Sequence, residues 1–215
     1  MIESATGLIL RTRLLTETSL IVHWLTPAFG RIATVAKGAR RPKSPFLGKL
    51  DLFYLTDFSF SRSRRSDLHT LREVSLRELH AALRRDLTRL RQATYATTLV
   101  EQATETETPL PAVYDLMLGF LGHLCERPAK PQTVFAFELR LLHELGLKPD
   151  WKKTGFSPGT GKISELLTQG GWPACARLKL TGAQVAELQE FLHGFLIFHL
   201  GRLPKGRTAA LAIQD

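Results

Sequence analysis

Between Glu17 and Asp51 the chain carries no acidic residue, yet it holds Arg31, Lys37, Arg40, Arg41, Lys43 and Lys49. Arg62, Arg64 and Arg65 form a second knot shortly after. Cations packed this densely repel one another unless an anion sits among them. The chemistry they offer is phosphate recognition, with Lys as a point charge and Arg as a planar fork of donors. These nine residues are the candidate contacts to a polyanion.

Other chemistries lack their residues. Gly155-Phe-Ser-Pro-Gly-Thr-Gly-Lys-Ile163 imitates a phosphate loop. It has the wrong spacing between its glycines, and Ile163 stands where a magnesium-holding Ser or Thr belongs. It reads as a flexible surface loop. The histidines (His23, His69, His80, His123, His143, His193 and His199) show no metal-binding spacing and read as surface or boundary residues. Cys125 reads as a small core residue of an apolar helix, and Cys175 has no visible triad partner. No nucleophile elbow occurs. An enzyme is not excluded, but none of these residues argues for one, and none shows a metal-binding pattern; a hydrolase working through Cys175 is the remote alternative.

The charge balance agrees with the basic clusters. Lys plus Arg is 29 against 20 Asp plus Glu, a net of +9. Residues 1–80 carry 13 basic and 7 acidic groups, residues 81–150 carry 8 and 9, and residues 151–215 carry 8 and 4. The excess thus lies mostly in the first eighty residues. A polyanion partner follows, nucleic acid or an anionic membrane. No amphipathic basic helix is visible there, which disfavours the membrane. No apolar run approaches the ~20 residues of a membrane span. Two cysteines and no apolar leader fit a reducing, intracellular setting.

The elements that must position these residues change in kind along the chain. Gly7–Arg13, Ser19–Leu25, Arg31–Ala36, Leu50–Phe60 and Leu68–Val74 read as five strands, which suggests a small barrel or sandwich. Pro42 and Pro45 make 38–48 a loop. Phe53, Tyr54, Phe58 and Phe60 could stack on bases, but at least half should be core. From Ser75 the period becomes helical. Ser75 with Glu78 is the expected capping box of a first helix, and Thr181 with Gln184 that of the last, which Pro204 should end. A helix after Pro131 should be buried, and 150–180 reads as irregular.

Several segments resemble the RecO family of bacterial recombination mediators. They are Thr16–Val22, Gly30–Ser44, Gly48–Leu50, Thr70–Val74, Phe137–Gly146 and His199–Arg207, in family order. The resemblance implies an α+β, multidomain fold: a five-stranded OB barrel at 1–79, then a mainly helical domain at 80–215. It implies a non-catalytic, cytoplasmic, nucleoid-associated role in recombinational DNA repair. Family members bind single- and double-stranded DNA and anneal complementary strands. With RecR they assist loading of RecA onto DNA coated by single-strand binding protein. Arg140 is the candidate contact to that protein's acidic, apolar C-terminal tail. Lys205-Gly206-Arg207 stands where the family has Lys-Ser-Arg, a departure that counts against a C-terminal contribution to DNA or partner contacts. Many members carry a four-cysteine zinc site. Here Lys152–Ser157 and Trp172–Arg177 stand where its cysteines would be, with Cys175 alone, so no zinc is expected. The alternative function is a basic protein-interaction scaffold or an RNA-binding OB module without annealing activity.

Overall fold

The computed structural model describes residues 1–212; the side chain of Lys152 and the last three residues of the expected helical domain lie outside the described residues. Two compact units emerge. One contains Met1–His80 with Thr104–Asp115, the other Ala81–Ala103 and the chain from Leu116.

The first unit is a closed barrel of five strands in the order β1-β2-β3-β5-β4. The strands are β1 (Ile2–Leu14), β2 (Leu20–Thr26), β3 (Gly30–Ala36), β4 (Leu55–Ser61) and β5 (Leu68–Glu78). Strand β1 pairs with β4 through its first half and with β2 through its second. A register shift between Ile9 and Arg11 marks the changeover. Such a bulge bends the strand, which is how one strand can serve two partners. It also explains why Leu8, Ile9 and Leu10 are all buried although a regular strand alternates. In β3 and β4 the alternation of buried and half-buried residues is complete. Trp24 stacks on Phe58 with centroids 4.0 Å apart, and its indole N–H donates to Thr34 Oγ1 at 2.8 Å.

Segment 104–108 packs on the end of β3. The Glu107 N–H donates to the Arg31 carbonyl at 2.9 Å. Gly30 sits at φ +64, where a Cβ would fall 2.0 Å from the Thr108 oxygen, so only glycine admits this segment.

Several expectations give way here. Residues 50–54 turn instead of extending: Asp51 Oδ1 accepts from the Leu52 N–H at 2.7 Å, and Phe53 takes φ 64. Ser75 and Glu78 open no helix. They lie in β5, with Ser75 opposite Asp57 and Glu78 opposite Leu55. A 3-10 turn follows at Ala81–Arg85, burying Leu83. The first α-helix, α1 (Leu87–Ala103), is capped by Asp86, whose Oδ1 accepts from the N–H groups of Thr88 and Arg89 at 2.8 and 3.1 Å. Three histidines expected near the surface are buried: His69, His80 and His123. Cys125 is only half-buried, whereas Cys175 is fully buried.

In the second unit the core helix is α3 (Pro131–Glu144), buried continuously from Gln132 to Leu142. Around it lie α1, the part of α2 (Pro111–Glu126) from Leu116 on, α4 (Pro158–Gln169), α5 (Trp172–Arg177), α6 (Gly182–Leu200) and α7 (Arg207–Leu211). The phosphate-loop look-alike and the supposedly irregular 150–180 stretch contain α4 and α5. Ser157 caps α4 and Pro158 opens it; Pro173 opens α5. Their short length hides the helical period. The capping box of Thr181 and Gln184 on α6 forms as expected. The helix ends at Gly201, in the left-handed conformation, before Pro204 is reached. Among the described residues, no helix is long and apolar enough to cross a membrane.

Candidate nucleic-acid interface

Strand pairing brings together cations that are distant in sequence. Arg11 of β1 lies opposite His23 of β2, which lies opposite Ala33 of β3. Arg13 and Arg31 flank the same histidine closely enough to act on it. Burial first, then Arg11, Arg13 and Arg31, push the His23 imidazole down to about 4. Its Nε2 has no hydrogen-bond partner among the described residues. Burial and three nearby cations thus keep this histidine neutral.

The depressed value makes stability depend on pH. An unfolded histidine titrates near 6.5. Below that pH the unfolded chain takes up a proton that folded His23 refuses, so stability falls as pH drops from about 6.5 toward 4. Urea unfolding across this range should show a larger loss for the wild type than for His23→Gln, which keeps only the contribution of His123, also lowered by burial. Superimposable profiles would contradict the assignment.

At one end of the barrel lies a cavity of about 430 Å³ between the β1–β2 turn and residues 37–41. Lys37 and Arg41 supply its charge, Thr16, Thr18 and Ser19 its hydroxyls. The backbone fixes it: the Arg40 N–H donates to the Thr18 carbonyl at 3.0 Å, and the Gly38 N–H to Ser19 Oγ at 3.3 Å. Gly38 itself takes φ +66, the left-handed turn that aims the two cations. Two exposed cations beside hydroxyl donors suit a phosphate.

The other expected contacts are dispersed. Arg40 donates to the Glu17 carbonyl at 2.9 Å. Lys43 is exposed beyond Pro42. Lys49 lines a different groove from Lys37 and Arg41. Arg31 donates through Nε to Thr104 Oγ1 at 2.9 Å and through Nη2 to the Thr104 carbonyl at 2.5 Å. Arg62 lies 3.3 Å from Glu107, whose other carboxylate oxygen is 3.0 Å from His69 Nε2. Arg64 and Arg65 are exposed in the β4–β5 turn. Phe53, Phe58 and Phe60 are buried, so three of the four candidate stacking aromatics are core. Sequence reasoning missed Arg11 and Arg13. Their signal was an Arg-x-Arg alternation in a strand, visible only once the register placed Arg31 near them.

Arg140 is not a surface contact. It is 9% exposed, and its guanidinium donates to the carbonyls of Leu167 (2.9 Å) and Gly170 and to Cys175 Sγ (2.8 Å). It also lies 4.1 Å from the Trp172 ring centroid. Burial pushes the Cys175 thiol up, so it packs as a neutral group.

Residues 1–80 match the family described as Recombination protein O N terminal, and residues 84–157 match Recombination protein O C terminal. The chain belongs to the RecO family. The DNA repair protein RecO of Anaeromyxobacter dehalogenans is 30% identical over 244 residues, covering 98% of this chain and 94% of that protein. The protein of the same name in Listeria monocytogenes is 29% identical over 205 residues, covering 94% of this chain and 80% of it. That of Exiguobacterium sibiricum is 33% identical over 149 residues, covering 69% and 59%. The OB barrel and the helical domain expected of a RecO chain are both present.

The RecO zinc site does not fit these residues. Zinc needs four converging donors, usually thiolates here. In α5 the one sulfur is Cys175, and it faces the Arg140 guanidinium, a cation standing where a cation would bind. Among the described residues no group of three or more His, Cys, Asp or Glu could hold a metal.

Proposed function

We propose that this RecO-family chain is a non-catalytic recombination mediator, cytoplasmic and nucleoid-associated. It binds single- and double-stranded DNA on the barrel and anneals complementary strands. With RecR it assists loading of RecA onto DNA coated by single-strand binding protein. The observation that carries the reading is the Lys37–Arg41 cavity, two exposed cations held by a backbone-fixed turn beside three hydroxyls. Contacts of this kind hold a strand by its phosphates without reading its sequence. Two strands on one cationic surface repel each other less and meet at a raised effective concentration. With Arg140 engaged inside the helical unit, a tail of single-strand binding protein would have to meet other cations there.

The test is annealing of complementary oligonucleotides by the pure protein without nucleotide or metal. If about five phosphates are contacted, log affinity for single strands should fall with log salt at a slope of about −3 to −4. RNA binding without annealing would favour an RNA module, and a flat salt response would remove the polyanion altogether. We also take the helical unit to fold without zinc. A chelator should leave the melting temperature unchanged, and a fall would overturn that reading.

A further inference from the structure

Helix α6 carries more apolar surface than the helical unit covers. Leu188, Leu192 and Leu196 are buried at helical spacing and define its inner face. Phe191 and Phe195 flank that face, half-buried, with Phe191 against Trp151 and Phe156. The side away from the three leucines presents Glu190, Gly194, Ile197 and Phe198, all exposed. Phe198 is 82% exposed; among the described residues only Met1 leaves a large apolar side chain more open.

Gly194 lies one turn before Phe198, on the same face. Beyond its chain neighbours and the helix's own backbone, nothing among the described residues lies within 4 Å of where its Cβ would stand. A glycine inside a helix destabilises it relative to alanine, and here no packing within the unit asks for one. The face therefore shows a projecting ring and an open notch one turn apart.

Two copies of this face complement each other. When two α6 helices lie antiparallel about a two-fold axis, Phe198 of each copy enters the notch at Gly194 of the other. The same register brings Glu190 of one copy level with Arg202 of the other, because each lies six residues from the midpoint of Gly194 and Phe198. Both are exposed, so opposite charges meet at both ends of the contact. A membrane surface would ask for cations around the phenylalanine, but the exposed neighbours are Gln189, Glu190 and His193.

We propose that this face of α6 is a self-association surface, through which two copies of the chain form an antiparallel, two-fold dimer. One helix pair is smaller than the interface of a permanent dimer, so the association is weak and reversible. It does not depend on the DNA-binding reading. Combined with that reading, it puts two barrels in one assembly, where two bound strands meet at a raised effective concentration.

The full chain is measured by sedimentation equilibrium, without DNA, over about two decades of concentration. The expected result is a reversible monomer–dimer equilibrium. Phe198→Ala should weaken it at least about tenfold. Gly194→Gln fills the notch with a good helix former. It should weaken the dimer as much, while the melting temperature of the dilute, monomeric chain holds or rises. Glu190→Arg and Arg202→Glu should each weaken the dimer, since like charges then face each other. The two exchanges together should restore it to within about threefold. Misfolding cannot produce that rescue, and only a second copy in this register does. A wild-type chain that stays monomeric throughout would overturn the proposal. So would a dimer indifferent to Gly194→Gln, or a double exchange no stronger than the single ones. A monomeric wild type whose Phe198 amide shifts with an acidic, apolar hexapeptide would reassign the face to a different protein.

Discussion

Reversing Lys37 and Arg41 together (Lys37→Glu, Arg41→Glu) should weaken single-strand binding roughly 100-fold and leave the melting temperature unchanged. The size follows from what is removed. A charge-assisted hydrogen bond contributes about 1.5 kcal/mol or more, and two of them about 3 kcal/mol, which is a little over two decades in affinity. Losing two phosphate contacts should also make the salt slope shallower by about 1.4. Stability should survive because main-chain groups set the turn: the Arg40 N–H on Thr18 and the Gly38 N–H on Ser19. Both side chains are exposed, and relieving a cluster of like charges costs nothing in the folded state. Arg40 and Arg31 are poorer probes, since their guanidiniums serve Glu17 and Thr104. Fluorescence anisotropy with a labelled oligothymidylate, with thermal melts in parallel, decides the matter. Undiminished affinity would remove the cavity from the interface.

How far such a site can be read in advance depends on which physical signals are local. The alternation in β3 is local, so its strand and its inward residues were legible, as was the α6 capping box. The β1 bulge and the Asp51 turn depend on pairing with other strands and on one side-chain hydrogen bond, so they left no periodic trace. Ser75 and Glu78 had the spacing of a helix start, but strand β4 pairs with that stretch and the ladder prevails over the local cap. The same limit applies to the interface. Lys43 and Lys49 are sequence neighbours of Arg41, yet only Arg41 shares the cavity with Lys37. Arg11, Arg13 and Arg31 became a cluster only when two strand registers were known. Charge density along the sequence thus located the domain that carries most of the excess cations. It could not locate the surface, because surfaces are made across strands.

Arg207→Ala should be the most damaging single change in the helical unit, and it should act through stability alone. Arg207 is 3% exposed and Glu138 is fully buried. The guanidinium grips the carboxylate with two bonds, Nε to Oε1 at 2.7 Å and Nη2 to Oε2 at 3.0 Å. Tyr95 Oη donates to the same Oε1 at 2.5 Å, and Arg207 Nη1 to the Gln189 carbonyl at 3.2 Å. Burial, then Glu138, push the Tyr95 hydroxyl well above its ordinary value, so it stays a donor at all working pH. These bonds hold α7, whose five residues are far too few for a helix to persist alone. Removing the guanidinium strands a buried carboxylate, which costs about 3–5 kcal/mol. For a chain of this size that lowers the melting temperature by about 10 °C. Replacing the whole set with apolar groups (Glu138→Leu, Arg207→Met, Tyr95→Phe) should recover most of the loss, because no charge is then left unpaired. That triple variant also decides what Lys205-Gly206-Arg207 is for. If Arg207 is purely a brace, the triple variant regains both its melting temperature and its DNA affinity. If stability returns and DNA affinity does not, the C-terminal segment touches DNA, and the RecO resemblance at this point is functional as well as structural.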